Sequence, residues 1–437
     1  MGLGKTLQTI CFLAHYIQRN SGVKNIIICP SSLMYNWQKE LEKFAPSIRA
    51  LVYHGTNRKE ADLLNDDLQV VITSYGTVRA DNGLLFSSHY GVAVVDESHN
   101  IKNPTAQITK AIGALQANIC IALSGTPVVN NTFDLYAQLN FALPGMFGSR
   151  DFFKKEYADA IDKYRDEEKI KQLQKITAPF ILRRTKEQVA KDLPDKTESI
   201  LWCTMHPQQR MVYNEISEQI KGNILTNIKS NGLNKTKLAV LQGIMKLRQV
   251  CNTPLLLPIE EQQSCTESIK TEMLLQELHN ILGNHKAIVF SQFSSMLNLL
   301  SAACDKQGIA YFHFDGQTPP AKRSEMVDAF QQKDCTTNLF LISLKAGNTG
   351  LTLTAADYVF LFDPWWNTAI EQQAIDRTHR IGQTKNVFAY KLICKDTIEE
   401  KIINLQLRKK QLAEELVTED DGFVKSLSEE DIAYLFS

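Results

Sequence analysis

Residues 91–99 read GVAVVDESH, and this stretch decides the fold of the N-terminal part of the chain. Its first five residues form an apolar run of strand length, rich in β-branched valine, which ends in the acidic pair Asp96-Glu97. Continuous apolar runs are typical of strands buried in a parallel sheet, and ligands lie at the carboxyl ends of such strands. The stretch therefore predicts a parallel α/β sheet with two carboxylates at its ligand-binding edge.

A second motif opens the chain, where residues 1–6 read MGLGKT and a helix is predicted over 7–18. Gly4-Lys5-Thr6 is the final part of a phosphate-binding P-loop. Gly2 and Gly4 allow backbone N–H groups to surround phosphates, and Lys5 carries its charge to their oxygens. The Thr6 hydroxyl is the predicted ligand of Mg²⁺. Because a P-loop normally follows a buried strand, we expect the chain to be truncated at its N-terminus.

The two motifs support each other, although each has a simpler explanation when it is taken alone. A short glycine turn would account for residues 1–6, and a surface acidic pair would account for residues 96–97. Read together, they predict a nucleotide site in which Asp96 is a second magnesium ligand. Glu97 is then the carboxylate that orients or deprotonates the attacking water.

Composition sets broad limits on the function. The 437 residues exceed the size of one hydrophobic core, so two to three domains are predicted. The formal net charge is zero, and any binding of nucleic acid must therefore use local grooves. Nine scattered cysteines without a C-x-x-C pair favour reduced thiols over disulfides or a zinc site. No signal peptide and no apolar stretch near the roughly 20 residues of a membrane span is present, so no membrane partner is predicted.

Strand-like and helix-like segments alternate in two blocks, which predicts two parallel-sheet α/β domains. The predicted strands are 25–29, 69–75, 91–95 and 118–123 in the first block, and 287–290, 311–314, 339–343, 358–362 and 387–392 in the second. Charged helical sequence lies between these blocks, and one isolated strand is predicted at Ile200 to Cys203. The predicted division is an ATP-binding domain at 1–131, a helical insertion at 132–199, a linker strand and second helical insertion at 200–269, a second sheet domain at 270–410, and a C-terminal helix and tail at 411–437.

The segment PWWNTAIEQQAIDRTHRIGQ at residues 364–383 carries candidate residues of the second block. Arg377 and Arg380 are three residues apart, which places them on one face if the segment is helical, with Gln373 one turn earlier. Arginines directed at a γ-phosphate neutralise charge in the transition state of phosphoryl transfer. The alternative is a solvated helix face on which Asp376 pairs with Arg380.

Ten ordered blocks resemble the helicase motifs of SWI/SNF-family ATPases, which are superfamily-two double-stranded nucleic-acid translocases. They extend over essentially the whole chain: MGLGKT, CPSSLMYNWQKE, TSYGTV, DESH, LSGTPVVNN, LRRTKEQVAKDLPDK, LRQVCNTPLL, VFSQFSSML, SLKAGNTGLTLTAADYVFLFDPWWN and QAIDRTHRIGQ. The resemblance implies two RecA-like parallel-sheet lobes with helical insertions between them.

The resemblance also implies roles for individual residues. Lys5, Asp96 and Glu97 would be catalytic together with Arg377 and Arg380, the two arginine-finger positions. ATP would contact the P-loop and Gln373, and Mg²⁺ would contact Thr6 and Asp96. The implied coupling residues are His99, Ser124, Thr126 and Gly350, and the implied DNA-contacting residues are Ser31, Trp37, Thr73, Ser74, Ser291, Gln292 and Lys345.

The predicted function is an ATP-dependent double-stranded DNA translocase that couples hydrolysis to lobe movement, with ATP and Mg²⁺ as cofactors. A strand-separating DNA or RNA helicase is one alternative, and a catalytically incomplete fragment that binds DNA or a partner is another. A nucleoprotein complex or RNA polymerase is a further expected partner. The expected location is the bacterial cytoplasm at the nucleoid, or the nucleus if the chain is eukaryotic.

Overall fold

The fold is seen in a computed structural model that describes residues 2–55, 58, 63–81, 83–125, 132–164, 166–190, 192–231, 233–263, 265–347, 351–364, 368–412 and 428–436. The chain divides into two compact units at residues 1–191 and 192–437. Each unit is built around one parallel sheet. The sequence prediction of two parallel-sheet α/β lobes is confirmed.

The first unit contains, in its described part, a five-stranded sheet of order β2-β3-β1-β4-β5, and every pair of neighbours is parallel. The strands predicted near residues 25, 70, 91 and 118 are present, whereas β2 was not predicted. This strand has only four residues, and three of them are only partly buried. The strands are β1 (Asn25–Cys29), β2 (Ala50–Tyr53), β3 (Val70–Ser74), β4 (His89–Val95) and β5 (Gln116–Ala122).

Strand β4 shows why its sequence is apolar throughout. Ala93 and Val95 pack into one hydrophobic core, and Val92 and Val94 pack into another on the opposite face of the sheet. Position 91 in this run requires glycine because a Cβ atom there would lie 2.5 Å from the Tyr16 ring. Helices therefore cover both faces of the sheet, as expected for parallel strands.

The helices of the first unit fall into two groups. Helices of the first group pack on the sheet. Helices of the second group follow them in the chain and pack around a separate small core that contains Phe153. The helices are Lys5–Arg19, Met34–Phe44, Tyr75–Ala80, Leu84–Ser87, Gln107–Gly113, Thr132–Ala142, Arg150–Phe153, Asp159–Tyr164, Glu167–Thr177 and Lys186–Val189, with a π-helical turn at Lys154–Ala158.

The second unit contains, among its described residues, a six-stranded parallel sheet of order β6-β11-β10-β7-β9-β8. The strand predicted as isolated at Ile200 to Cys203 is instead the edge of this sheet, and that prediction is wrong. It begins at Lys196 and pairs with β11 over eight residues. The strands are β6 (Lys196–Cys203), β7 (Ala287–Ser291), β8 (Tyr311–Phe314), β9 (Leu339–Ser343), β10 (Tyr358–Leu361) and β11 (Val387–Cys394).

Two long helices that precede β7 pack on one face of this sheet and share its core, to which Val250 and Val289 both belong. The region predicted as a second helical insertion is thus integral to the second unit. The helices of this unit are Pro207–Asn231, Leu233–Asn252, Ile269–Ile281, Ser294–Lys306, Pro320–Gln331, Leu344–Gly347, Thr368–Ile375, Ile398–Leu412 and Glu429–Leu435. The cysteines are free thiols.

Candidate functional site

The candidate site of the first unit lies at the carboxyl edge of its sheet, where β4 ends at Val95. Asp96 follows directly, and its backbone N–H donates to the Ile28 carbonyl of the neighbouring strand at 2.8 Å. This bond fixes the chain at the point where it leaves the sheet. The predicted placement of Asp96 at the edge of the sheet is seen in the structure.

The Asp96 carboxylate is held in one orientation by two donors. The Trp37 indole Nε1–H donates to Oδ2 at 3.0 Å, and the Glu97 backbone N–H donates to Oδ1 at 2.9 Å. Burial and the charge of Glu97 raise the pKa of the Asp96 carboxyl, while the Trp37 bond and the Lys5 charge oppose that change. Each oxygen accepts one of these bonds, so each keeps a lone pair that can bind a cation.

Glu97 has a backbone conformation that few non-glycine residues adopt. Its φ angle is 52°, in the left-handed region. The Tyr75 hydroxyl donates to the carbonyls of Asp96 at 2.6 Å and Glu97 at 3.2 Å, and Asn100 Nδ2 donates to the Glu97 carbonyl at 2.8 Å. Such a conformation persists when its surroundings hold it in place, and it often occurs at functional sites.

Two predicted coupling residues lie beside this acidic pair. His99 Nδ1 is 3.4 Å from Glu97 Oε2. The Ser98 backbone N–H donates to the Leu123 carbonyl at 2.8 Å. Ser124, the next residue after Leu123, therefore also lies near the acidic pair. Ser98 Oγ also donates to Gln138 in the helix Thr132–Ala142 at 2.8 Å. The other two predicted coupling residues, Thr126 and Gly350, lie outside the described residues.

The P-loop residues form the entry to a long helix. Gly2 and Gly4 each have φ of 74°, and Gly4 is the N-cap of the helix Lys5–Arg19. Left-handed glycines at a helix N-terminus direct consecutive N–H groups outward, which suits an anion. Lys5 is the first residue of this helix, and its positive charge opposes the rise in the pKa of the Asp96 carboxyl. Thr6 lies in the first turn of the same helix.

These residues fit a magnesium–nucleotide complex by their chemistry. A hydroxyl and a carboxylate are the hard oxygen ligands that Mg²⁺ prefers, and such sites usually retain several waters. A bound cation would also relieve the unfavourable charge of the buried Asp96. The left-handed glycines and the Lys5 ammonium suit the phosphates.

In the second unit, the helix that would place Arg377 and Arg380 on one face does not extend to them. The helix Thr368–Ile375 contains Gln373 but ends before Arg377 and Arg380, which lie in the turns that follow. Packing explains the early end, because the Leu353 N–H donates to the Arg377 carbonyl at 3.0 Å and Arg380 Nη1 donates to Thr352 Oγ1 at 2.8 Å. Gln373 and Arg377 are both buried within this unit.

Several predicted DNA contacts are corrected by burial. Trp37 is 1% exposed and donates to Asp96, so its side chain supports the acidic site and does not face solvent. Thr73 donates to the Tyr53 carbonyl at 2.9 Å, and Ser74 caps the helix Tyr75–Ala80. Ser291 is fully buried and bonded to Asp363. These hydroxyls serve the fold because their partners lie on neighbouring strands or within the next helical turn.

Three other residues predicted to contact DNA, Ser31, Gln292 and Lys345, remain candidates for that role. Ser31 is exposed in a short turn after β1, and Gln292 is partly exposed after β7. Lys345 lies in the short helix Leu344–Gly347 after β9, and its side chain is outside the described part of the structure. All three follow carboxyl ends of parallel strands.

A buried polar cluster in the second unit was missed by sequence reasoning. It joins Arg248, Asn252, Lys270, Asp363 and Glu399, all of which are at most 3% exposed. Lys270 Nζ donates to Glu399 Oε1 at 2.7 Å, and Arg248 Nη2 donates to the Asp363 carbonyl at 3.0 Å. The only available signal was the position of Asp363, directly after the apolar run of β10.

Together, the fold and the edge of the first sheet define a P-loop protein with two parallel-sheet α/β units. Residues 1–256 match the model of the SNF2-related domain, and residues 269–382 match the helicase conserved C-terminal domain. The chain therefore belongs to the SNF2-related family, and the resemblance seen in its motifs is confirmed.

Individual relatives extend this comparison. The chain is 37% identical over 441 residues to an uncharacterized ATP-dependent helicase of Mycoplasma pneumoniae, and the match covers 100% of the chain and 41% of that protein. It is 36% identical over 449 residues to the putative ATP-dependent helicase/translocase YwqA of Bacillus subtilis, covering 100% of the chain and 48% of YwqA. The chain thus spans less than half the length of these relatives.

Among solved structures, the Sulfolobus solfataricus SWI2/SNF2 ATPase core in complex with dsDNA is 33% identical. That match covers 100% of this chain and 91% of the other, with a TM-score of 0.45. Separately, none of the helices in the described ranges is both long and apolar enough to cross a membrane.

Proposed function

We propose that this chain is the motor core of an ATP-dependent double-stranded DNA translocase that uses Mg²⁺. The observation that carries the proposal is the carboxyl edge of the first sheet, where Asp96 and Glu97 follow β4 and the P-loop helix Lys5–Arg19 packs against the same sheet through Ile10 and Leu13. The names of the relatives in this family, which refer to ATP-dependent helicases and a translocase, support the same activity.

In the proposed reaction, each residue has a defined task. Gly2, Gly4 and Lys5 bind the phosphates, and Thr6 and Asp96 would hold the magnesium ion, which supplies charge neutralisation at the phosphates. Glu97 orients the attacking water and accepts its proton.

The second unit would contribute arginines to the same nucleotide. Arg377 and Arg380 would add positive charge at the γ-phosphate, Gln373 would contact the nucleotide, and His99 and Ser124 would transmit its state. Hydrolysis removes this link and lets the two units move relative to each other. Of the predicted domains, the ATP-binding domain at 1–131 and the second sheet domain at 270–410 are proposed as the parts that move, the latter together with the strand and helices at 200–269 that belong to its unit.

The first experiment measures ATP hydrolysis by this chain with and without duplex DNA. We expect duplex DNA to stimulate turnover in the wild type. We expect Arg380→Ala to lower the stimulated rate by about 10³-fold or more, since an arginine finger contributes on that order. Arg210→Ala is the matched control, because Arg210 is a partly exposed arginine of the same unit that donates to the carbonyls of Lys395 and Asp396. Wild-type hydrolysis by Arg380→Ala would contradict the role of this arginine.

The second experiment distinguishes translocation from its alternatives. A translocase displaces a third strand from a DNA triplex in an ATP-dependent reaction, but it does not separate a tailed duplex. Separation of the duplex would favour a strand-separating helicase. If the wild-type chain binds DNA but hydrolyses no ATP, it is a binding fragment of a longer motor.

DNA binding itself should depend on phosphates. Its affinity should then fall steeply with salt and vary little with base sequence. A strong sequence preference would contradict the proposal. Binding to RNA polymerase or another nucleoprotein complex, and a cytoplasmic location, stay predictions.

A further inference from the structure

Arg248 connects three parts of the second unit. It lies near the end of the helix Leu233–Asn252 and is 1% exposed. Its Nη1 donates to Gln292 Oε1 at 3.1 Å, and its Nη2 donates to the carbonyls of Asp363 at 3.0 Å and Pro364 at 2.8 Å. One guanidinium thus binds the loop after β7 and the loop after β10. Both loops lie at the carboxyl edge of the sheet.

Asp363 completes the connection from the opposite side. Its Oδ1 accepts the Gln292 backbone N–H at 2.6 Å, and its Oδ2 accepts bonds from Ser291 Oγ and from Asn252 Nδ2, the latter at 3.2 Å. The side chain of Gln292 is therefore held by Arg248, and its backbone is held by Asp363. The Phe293 ring, 5.6 Å from the Arg248 guanidinium carbon, packs against this group.

The direction of the bond to Gln292 determines how its amide is presented. A guanidinium can only donate, so it must face the amide oxygen and not the amide nitrogen. The Gln292 Nε2 group, which carries two donors, then points away from Arg248. Two N–H donors at a partly exposed loop suit a phosphate oxygen.

Stability alone gives little reason for this arrangement. Burial lowers the pKa of the Arg248 guanidinium, although Asp363 and Glu399 oppose that effect. A buried ion pair is often no more stabilising than apolar residues of the same volume. Its distinctive property is geometry, since a planar fork can fix several acceptors at once.

We propose that Arg248 is a positioning residue for duplex DNA, and that it acts by fixing the Gln292 amide so that its NH₂ group faces a backbone phosphate. This inference rests on the proposed function for its ligand. The helix Leu233–Asn252, which lies outside the sheet domain predicted at 270–410, thereby gains a role in DNA binding. Among the residues predicted to contact DNA, Gln292 is the one whose amide makes this contact.

The test is a double-mutant cycle on the dissociation constant of this chain for a duplex of random sequence. Arg248→Met, Gln292→Leu and the double variant are compared with the wild type. We expect each single variant to raise the dissociation constant roughly 10- to 100-fold, as is usual for one hydrogen bond to a charged group. Because both act on one contact, the double variant should bind no more weakly than Gln292→Leu.

Arg210→Met is the matched control, since Arg210 also donates to two backbone carbonyls but at a partly exposed position. It should leave the dissociation constant within about twofold of wild type. The dissociation constants are measured without nucleotide, which separates this role from one in hydrolysis. Additive effects in the double variant, or equal effects of Arg248→Met and Arg210→Met, would overturn the proposal.

Hydrogen exchange of the backbone amides provides a readout that needs no DNA. Exchange at Gln292 should become faster in Arg248→Met and remain unchanged in Arg210→Met. If Arg248→Met does not fold, Arg248→Lys replaces it, because lysine keeps the charge but lacks the planar guanidinium that donates to separate acceptors in fixed directions. Unchanged exchange at Gln292 in both would refute the positioning role. If the wild type binds no duplex, the proposed function fails, while the exchange result still decides whether Arg248 fixes the loop.

Discussion

An aspartate follows an apolar strand at the carboxyl edge of each sheet, yet the two aspartates have different surroundings. Asp96 after β4 accepts two hydrogen bonds, one on each oxygen, and retains lone pairs for a cation. Asp363 after β10 accepts three hydrogen bonds and lies beside buried Arg248. The same position in the same architecture therefore gives a ligand site in one unit and a structural anchor in the other.

The charge balance around each carboxylate explains this difference. Burial raises the pKa of both carboxyls. Near Asp96 the second carboxylate, Glu97, adds to the negative charge, so a cation is favoured. Near Asp363 the cations Arg248 and Lys270 already supply positive charge. What an edge aspartate does is thus decided by the residues that the fold brings beside it.

The largest expected effect comes from replacing each aspartate by its neutral isostere. Asp96→Asn should lower ATP hydrolysis by about 10³-fold, because magnesium loses a charged ligand worth several kcal/mol in the transition state. Asp363→Asn should leave DNA-independent hydrolysis within about 10-fold of wild type. Steady-state ATPase assays measure both, and thermal unfolding checks that each variant folds. Equal losses in the two variants would remove the distinction between the two edges.

Stability should respond to the buried cations of the second unit. Lys270→Met leaves the Glu399 carboxylate buried without its ion partner, and we expect the free energy of unfolding to fall by about 3 kcal/mol in urea titrations. The control is Arg49→Met, which breaks an ion pair with Asp67 on the surface. This variant should change the free energy of unfolding by less than about 1 kcal/mol.

A second variant separates the loss of the pair from the loss of packing. Lys270→Met combined with Glu399→Leu removes both buried charges, so most of the lost stability should return. If the double variant is as unstable as Lys270→Met, the buried charge is not the cause.

The pH dependence of stability should identify Asp363. Burial raises the pKa of its carboxyl from an ordinary 3.8 to about 6 in the folded chain, even though Arg248 opposes this change. Between these two values the folded state binds more protons than the unfolded state. The contribution of Asp363 is therefore fully present below about pH 4 and is lost as the pH rises through 6.

This loss should be on the order of 2 kcal/mol between pH 4 and pH 6.5, and Asp363→Asn should lack it. The measurement is the free energy of unfolding at both pH values, compared between wild type and variant. An identical change with pH in the two proteins would mean that Asp363 ionises normally.

The smallest expected effect concerns the indole that supports Asp96. Trp37→Phe keeps a buried aromatic ring but removes the N–H donor. We expect ATP binding and hydrolysis to require an about 10-fold higher magnesium concentration for half-maximal effect. Trp202→Phe, at a side chain that is 39% exposed, is the matched control and should resemble the wild type. Equal behaviour of the two variants would show that the Trp37 bond does not orient the metal ligand.

Much of the fold could be predicted from the sequence. The apolar runs predicted nine of the eleven described strands as sheet strands, because the apolar and β-branched composition of a strand is a property of residues adjacent in the chain. Short β2 was missed, and β6 was predicted as isolated because half of its residues are exposed or polar. The acidic pair and the P-loop helix were predicted where they lie.

The second half of the candidate site was predicted less well. The spacing of Arg377 and Arg380 suggested one helix, but the helix ends at Ile375 and the two arginines occupy the following turns. Trp37, Thr73, Ser74 and Ser291 have residue types that also occur in phosphate-binding loops. Their burial depends on which strands and helices pack beside them, and a single sequence does not contain that information.

The sequence by itself determined the periodicity of the strands and the short motifs, because backbone preference and burial within one strand or one helix turn depend on adjacent residues. Only the tertiary structure decided which polar groups meet. Trp37 reaches Asp96 across 59 residues, and Arg248 reaches Pro364 across 116. Hydrogen bonds act over about 3 Å, so a partner distant in the chain is fixed only when the sheet and helices have packed.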